Sequence, residues 1–410
     1  MSAPVFSATS ARGPGAYLPP VPVQRRWRDS VRIWWREIDK LMLLLIGLLM
    51  AIGLVAVAAA SPASADMLST ASTRLDPLMF FKRHIVFQLI GLAVLIGLSF
   101  LDRDQARRLG ILVGAVMLAL LFVVPFIGEE KNGARRWINV GMSLQPSEFL
   151  KPGFAIICAW ILSWRLRDPG LPVIAFVTGF FALIAGLLML QPNLGDAILF
   201  GGIWLVMVLL AGLPWQRIAG VGAAGITALT LAYLFYDNAR HRIDGFLGGG
   251  TAFDQVDLAQ RTITAGGWTG AGLWLGTRKM NLPEAHTDYI FSVIGEEFGL
   301  IVCGVIVVLY CGLVMRALLR LTGEDNLFAL LAAAGLVTQF GGQAFINILV
   351  NLKLFPSKGM TLPLISYGGS STLAVCFTLG LLLAITRRNP FLAREGGSLR
   401  ELIERKEERP

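Results

Sequence analysis

Stretches of about twenty consecutive apolar residues recur along the whole chain, and they constrain the fold more than any other feature. LMLLLIGLLMAIGLVAVAAA (Leu41 to Ala60) and LGILVGAVMLALLFVVPFIG (Leu109 to Gly128) show the pattern. A helix of about 20 such residues spans a hydrocarbon core about 30 Å thick. In that core each backbone N–H and C=O must find its partner inside the protein, which selects helices. Runs of this kind begin near Leu41, His84, Leu109, Ser147, Leu171, Ala197, Ile218, Tyr289, Asn326 and Ser371. The expected fold class is therefore an all-α polytopic membrane protein of about ten transmembrane helices. Composition agrees, since 15% of residues are charged against about 25% in a soluble domain.

The net charge of +9 raises the question of a nucleic-acid partner, but the basic residues lie where membrane topology would put them. Arg25, Arg26, Arg28, Arg32, Arg36 and Lys40 crowd the amino-terminal arm; Arg387, Arg388, Arg394, Arg400, Arg405, Lys406 and Arg409 crowd the tail. The positive-inside rule puts both ends in the cytoplasm, which requires an even number of spans. Three parts follow: a basic, partly disordered arm (1–40), a membrane domain (41–386) and a charged cytoplasmic tail (387–410). Within the arm GPGAYLPPVPVQ (Gly13 to Gln24) cannot build a core, whereas VRIWWREIDK (Val31 to Lys40) reads as a helix on the inner membrane surface. ASPASA (Ala60 to Ala65) resembles a signal-peptidase site, yet the preceding apolar run exceeds the 7 to 15 residues of a signal sequence. Between the seventh and eighth spans lies a large extracytoplasmic loop, 237–288. It breaks the charge rule by carrying Arg240, Arg242, Arg261, Arg278 and Lys279 outside, which is a clue to the ligand. The four cysteines fall in apolar runs and offer neither a disulfide framework nor a zinc spacing.

Charged and polar groups at span boundaries are the informative ones, because a carboxylate or ammonium at mid-bilayer costs roughly 2.5 to 3.5 kcal/mol on insertion scales. In LQPSEFLKPG, Glu148 and Lys151 are three apart on one helical face. They either set the depth of the fourth span or line a polar cavity that holds substrate. Arg135 and Arg136 precede them on the outer side, as phosphate ligands or as headgroup anchors. QPNLGD (Gln191 to Asp196) is a tight polar hairpin. FPSKGMTLPLISYGGSS (Phe355 to Ser371) has too much proline and glycine for a helix and reads as a loop dipping back against protein. Its Ser366, Gly368, Gly369 and Ser370 supply candidate backbone amides for an anion nest, with Lys358 adding charge. GAGLWLG in the long loop lacks the strand and helix that a dinucleotide fingerprint needs.

LPEAHTDYIF (Leu282 to Phe291) concentrates Glu284, His286, Thr287 and Asp288 at the mouth of the eighth span. Asp288 is either an N-cap or, half-buried with raised proton affinity, a general base. Glu296 and Glu297 face a similar choice between lining a cavity and buried pairing. His286 and Glu284 lack the support a metal site requires, so no metal ligands are assigned.

In order and spacing, QPSEFLK, QPNLG, LPEAHTDYIFSVIGEEFG, QAFINI and FPSKGMTLPLISYGGSS resemble the SEDS family (shape, elongation, division and sporulation) over roughly 39–389. The resemblance implies a peptidoglycan glycosyltransferase that polymerises lipid II on the outer face of the bacterial inner membrane. The wording ISYGGSS, IGEE after HTD, and the basic arm resemble the cell-division branch more than the elongation branch, which implies action at the septum. By resemblance Asp288 is the essential aspartate, and Arg135, Glu148, Lys151, Lys358, Ser366 and Ser370 are cavity residues; Arg136, His286, Thr287, Gly368 and Gly369 join them as candidate substrate contacts. The implied partners are lipid II, the undecaprenyl-pyrophosphate-linked glycan, a class B penicillin-binding protein transpeptidase and other divisome membrane proteins. A divalent cation (Mg2+ or Mn2+) is the one cofactor the resemblance admits. Two departures stand out: Asn193 replaces the aspartate of QPDLG, and NLKLFPSKG, with Asn351 and Lys353, replaces the usual glycine and leucine wording. A lipid II flippase and a non-catalytic scaffold for the transpeptidase are the competing functions.

Overall fold

The computed structural model describes residues 27–212 apart from 71–73, 132, 133, 140, 142, 167 and 169. It also describes scattered positions between 220 and 244, and then 255–387 apart from 358. The chain divides into two units, Met1–Glu37 and Ile38–Pro410. The first contains helix α1 (Trp27–Glu37), with Asp29 in its first turn and Arg36 in its last, each placed to favour the helix dipole.

The second unit is a helical bundle. Its helices are α2 (Lys40–Leu68), α3 (Met79–Ser99), α4 (Arg103–Ile127), α5 (Pro146–Ser163), α6 (Val173–Leu190), α7 (Leu194–Leu210), α8 (Gln255–Ala265), α9 (Ile290–Leu321), α10 (Leu327–Asn351) and α11 (Gly369–Thr386). Among the described residues eight helices are long and apolar enough to cross a membrane; α7 is apolar but shorter. The seventh run, beginning near Ile218, falls mostly outside the described residues, as do Lys358 and nearly all of the tail. ASPASA lies inside α2. Helix starts follow capping chemistry: Asp39 accepts from the amides of Leu41 and Met42, Asp102 forms a capping box with Gln105, and Asn326 accepts from Ala329.

The structure adds a feature that the all-helical expectation did not contain. Strands β1 (Glu129–Lys131), β2 (Ala134–Asn139) and β3 (Ser143–Leu144) form a small antiparallel sheet between α4 and α5. Such short strands, in a stretch rich in polar and charged residues, leave almost no alternating pattern to detect.

Close helix approach is set by small residues, as in other membrane bundles. A Cβ added to Gly153 of α5 would stand 2.4 Å from the Cα of Gly114 in α4, so Gly153 accepts no side chain without separating the two helices.

The bundle has two unlike ends. At one, Arg103 forms a two-pronged pair with Glu324 (3.0 and 2.7 Å), and Arg316 and Arg320 both reach Asp39. Arg165 donates to the Ala211 carbonyl. The described bundle begins and finishes at this arginine-rich end, with Asp39 and Arg387. At the other end lie the sheet, the 191–193 hairpin, the segment 266–289 and the described residues of 352–368.

Candidate active site

Residues 283–289 form turns ahead of α9. Glu284 takes a left-handed conformation (φ +53°), which brings its carbonyl to the amides of Thr287 (3.1 Å) and Tyr289 (3.2 Å). Its carboxylate accepts from Thr287 Oγ1 at 2.7 Å. The N-cap position of α9 is Tyr289, and no side-chain cap bond forms there. Asp288 thus lies one residue outside the capping position. It is half-buried, and a Cβ on exposed Gly359 would approach its Oδ2 to 3.3 Å.

Two neighbouring segments clamp the turn. Asn347 Nδ2 donates to the Asp288 carbonyl (2.8 Å) and to the Met360 carbonyl (2.6 Å). Asn351 Nδ2 donates to the same Asp288 carbonyl (3.1 Å), while its Oδ1 accepts from the amide and hydroxyl of Ser292. From the other side, Ser366 Oγ donates to the Thr287 carbonyl (2.5 Å) and accepts from the Leu362 amide (2.8 Å). The Tyr367 amide donates to the His286 carbonyl (2.9 Å). The backbone carrying the Asp288 carboxylate is therefore fixed by bonds to both of its neighbouring segments.

The segment 359–368 enters the bundle. Its carbonyls are met by side chains from three helices: Thr361 by Gln343, Pro363 by Tyr310, and Leu364 by Gln88. That is the condition for non-helical backbone among apolar helices. SYGGSS does not form a nest of alternating conformations. Gly368 is extended (φ 178°), residues 369–371 open α11, and the Tyr367 amide is spent on His286. Ser370 is buried in that first turn, and Gly368 and Gly369 are half-buried beside it. Ser366 acts as a staple between two loops.

His286 lies in an aromatic cluster, its ring centroid 4.1 Å from Phe80 and 5.4 Å from Tyr367. Burial lowers its pKa from 6.5 to about 4, against the opposing charge of Glu284. The neutral ring packs, and its buried Nδ1 has no hydrogen-bond partner among the described residues.

Glu148 and Lys151 meet at 2.6 Å, and Lys151 also lies 3.1 Å from Asp196 Oδ1 in α7. Lys151 is wholly buried. Arg136 donates to the Gln191 carbonyl (3.0 Å) and to that of Pro192, tying β2 to the hairpin. Arg135 is exposed beside Glu130.

Glu296 and Glu297 take the paired alternative. Helix α9 breaks at Gly299 (φ +82°), and the loop 266–276 fits against the break. Ala271 and Gly272 amides donate to the carbonyls of Glu296 and Glu297. The Glu296 carboxylate accepts from the amides of Arg278 (2.6 Å) and Lys279 (2.9 Å); that of Glu297 pairs with Lys279, which also donates to the Ala59 carbonyl. GAGLWLG is thus a structural plug for a broken helix. Among the described residues no group of three or more His, Cys, Asp or Glu could hold a metal ion.

Residues 39–390 match the family profile described as "Cell cycle protein", which covers FtsW, RodA and SpoVE. The chain belongs to this family. The FtsW/RodA/SpoVE assignment agrees with individual relatives. A probable peptidoglycan glycosyltransferase FtsW of Caulobacter vibrioides is 34% identical over 365 residues, 88% of this chain and 93% of that protein. Its counterpart in Halorhodospira halophila is 36% identical, covering 85% and 90%. Among solved structures, a chain from a work on coordination of polymerization and crosslinking by a peptidoglycan synthase complex superposes with TM-score 0.69. It is 29% identical and covers 86% of this chain and 98% of that one. Rod shape determining protein RodA of Thermus thermophilus gives TM-score 0.63 at 29% identity, with the same coverage.

Seen within the FtsW/RodA/SpoVE family, the second of the two departures in wording has structural content. Asn351 is one of the clamps on Asp288, and Lys353 pairs with Asp257 of α8. Sequence reasoning missed Asn347, Gln343, Thr361, Ser371 and Asp196 as parts of the site. The signal available for the first was a pair of asparagines four apart in the apolar stretch INILVN, a spacing that puts two amides on one helix face.

Proposed function

We propose that the chain is a peptidoglycan glycosyltransferase that polymerises lipid II during septal wall synthesis, with Asp288 as its general base. The observation that carries the catalytic assignment is the pinning of this half-buried aspartate by Asn347 and Asn351, and of the residues just before it by Ser366 and Tyr367, with its carboxylate against bare Gly359. A base must be fixed to within a hydrogen-bond length of the proton it removes, and this scaffold provides that.

Positive-inside reasoning assigns the arginine-rich end to the cytoplasm and the Asp288 end to the outer face. No ATP is available there, so the driving force must reside in a lipid-linked substrate. The Asp288 carboxylate takes the proton from the 4-hydroxyl of the acceptor sugar. The freed oxygen attacks the anomeric carbon of the lipid-linked chain, the bond from that carbon to the phosphate oxygen breaks, and undecaprenyl pyrophosphate leaves with the electron pair. Exposed Arg135, Arg261 and Arg278 give the outer end the charge that suits a pyrophosphate. A divalent cation at the leaving group would draw most of its ligands from phosphate and water.

Glu148, Lys151 and Asp196, in the opening turns of α5 and α7, are spent on one another rather than left as free charges along a passage. The structural relative from a peptidoglycan synthase complex supports a transpeptidase partner. The test is to co-purify the chain with a class B transpeptidase and supply labelled lipid II. Glycan strands are expected; lipid II crossing vesicle membranes without polymer would instead establish a flippase.

A further inference from the structure

Lys151 is buried within the bundle and its ammonium has three acceptors: Glu148 Oε1 at 2.6 Å, Asp196 Oδ1 at 3.1 Å and Gln343 Oε1 at 3.5 Å. The Asp196 carboxylate is equally enclosed. Its Oδ2 accepts from Asn193 Nδ2 (2.7 Å), Ser147 Oγ (2.8 Å) and Gln145 Nε2 (3.4 Å). A buried ammonium tolerates the loss of water only when its partners are complete, so two carboxylates on two different helices belong to one unit.

That unit is connected to the catalytic end. Gln343 presents its oxygen to Lys151 and its amide to the Thr361 carbonyl (3.1 Å) and hydroxyl (3.3 Å). Thr361 shares a 2.5 Å hydrogen bond with Ser371, which lies against the Glu148 carboxylate. The preceding residue, Met360, gives its carbonyl to Asn347, and Asn347 holds Asp288. Two polar routes therefore run from the Lys151 unit to the segment 359–361 beside the base.

We infer that Asp196 is a positioning residue. Together with Glu148 it fixes Lys151, and through Gln343 and Thr361 it fixes segment 359–361 against Asp288. The inference rests on the glycosyltransferase reading for its activity test. It also explains how a chain with asparagine at 193 keeps a carboxylate in this hairpin. Asn193 caps α7 and bonds Asp196 directly, so the charge sits one helical turn further along, still within reach of Lys151.

The exchange can be reversed. Asp196→Asn should lower kcat for lipid II polymerisation about tenfold to a hundredfold, the range of a misplaced catalytic group, with KM within about threefold. Adding Asn193→Asp returns a carboxylate to the same hydrogen-bonded pair and keeps a good cap, so kcat should recover to within about threefold of wild type. Unchanged kcat in Asp196→Asn, or a folded double variant that stays as slow as the single one, overturns the inference. A second measurement does not need activity. In thermal unfolding, Asp196→Asn and Lys151→Met should be strongly non-additive if they share one unit; additive losses overturn the pairing even if the chain proves not to be a polymerase. A wild type that makes no glycan while the unfolding cycle stays non-additive would instead count against the glycosyltransferase reading alone.

Discussion

At the scale of single residues, the turn before α9 combines a half-buried acid with a buried neutral imidazole. The His286 pKa is depressed, from 6.5 to about 4 by burial, so below pH 6.5 the unfolded chain takes up a proton that the folded chain refuses. Stability from this group is complete above pH 6.5 and falls as pH drops toward 4. Thermal unfolding in detergent should show the midpoint falling over that window, and His286→Phe should reduce the fall while keeping the ring contact with Phe80. An equal fall in the variant would move the effect to other groups. Asp288 was legible as a charged residue at the mouth of a span. The residues that hold it were less so, because Asn347 and Asn351 act on a backbone carbonyl about sixty positions away, a distance no local pattern encodes.

At the scale of elements, the most informative contact is that of loop 266–276 with the break in α9. Helix α9 reads as one apolar span that carries Glu296 and Glu297 near its start, and the sequence contains no proline at the break. Only the fold shows that Gly299 opens the helix and that Ala271 and Gly272 satisfy the exposed carbonyls. The local sequence leaves open whether Glu296 and Glu297 line a cavity or pair, since Lys279 reaches Glu297 from a turn eighteen positions earlier. Lys279→Met should leave a buried carboxylate uncompensated and destabilise the protein by about 3–5 kcal/mol. Urea or thermal unfolding of the purified chain checks this; a loss below about 1 kcal/mol would show that Glu297 is not dependent on the pair. The re-entrant segment 359–368 was more legible, because its prolines, glycines and small polar residues exclude a helix and demand protein partners.

At the scale of the whole molecule, the bundle separates an end held by ion pairs from an end built of loops. Burial opposes ionisation of Asp39, but the Met42 amide, Arg320 and Arg316 together hold its carboxyl below the usual aspartate value. This clasp joins the start of α2 to the end of α9, and it should be present above about pH 4 and lost as pH falls further. The helical membrane class followed directly from the apolar runs, whereas the small sheet between α4 and α5 did not, its strands being too short to show a period. The central claim concerns the loop end, and the most direct measurement of it is the rate of lipid II polymerisation by Asp288→Asn, co-purified with its transpeptidase and compared at equal amounts of folded protein. Loss of a positioned base should slow polymerisation by roughly 10² to 10⁴-fold. A variant that polymerises at the wild-type rate would show that Asp288 is not the base.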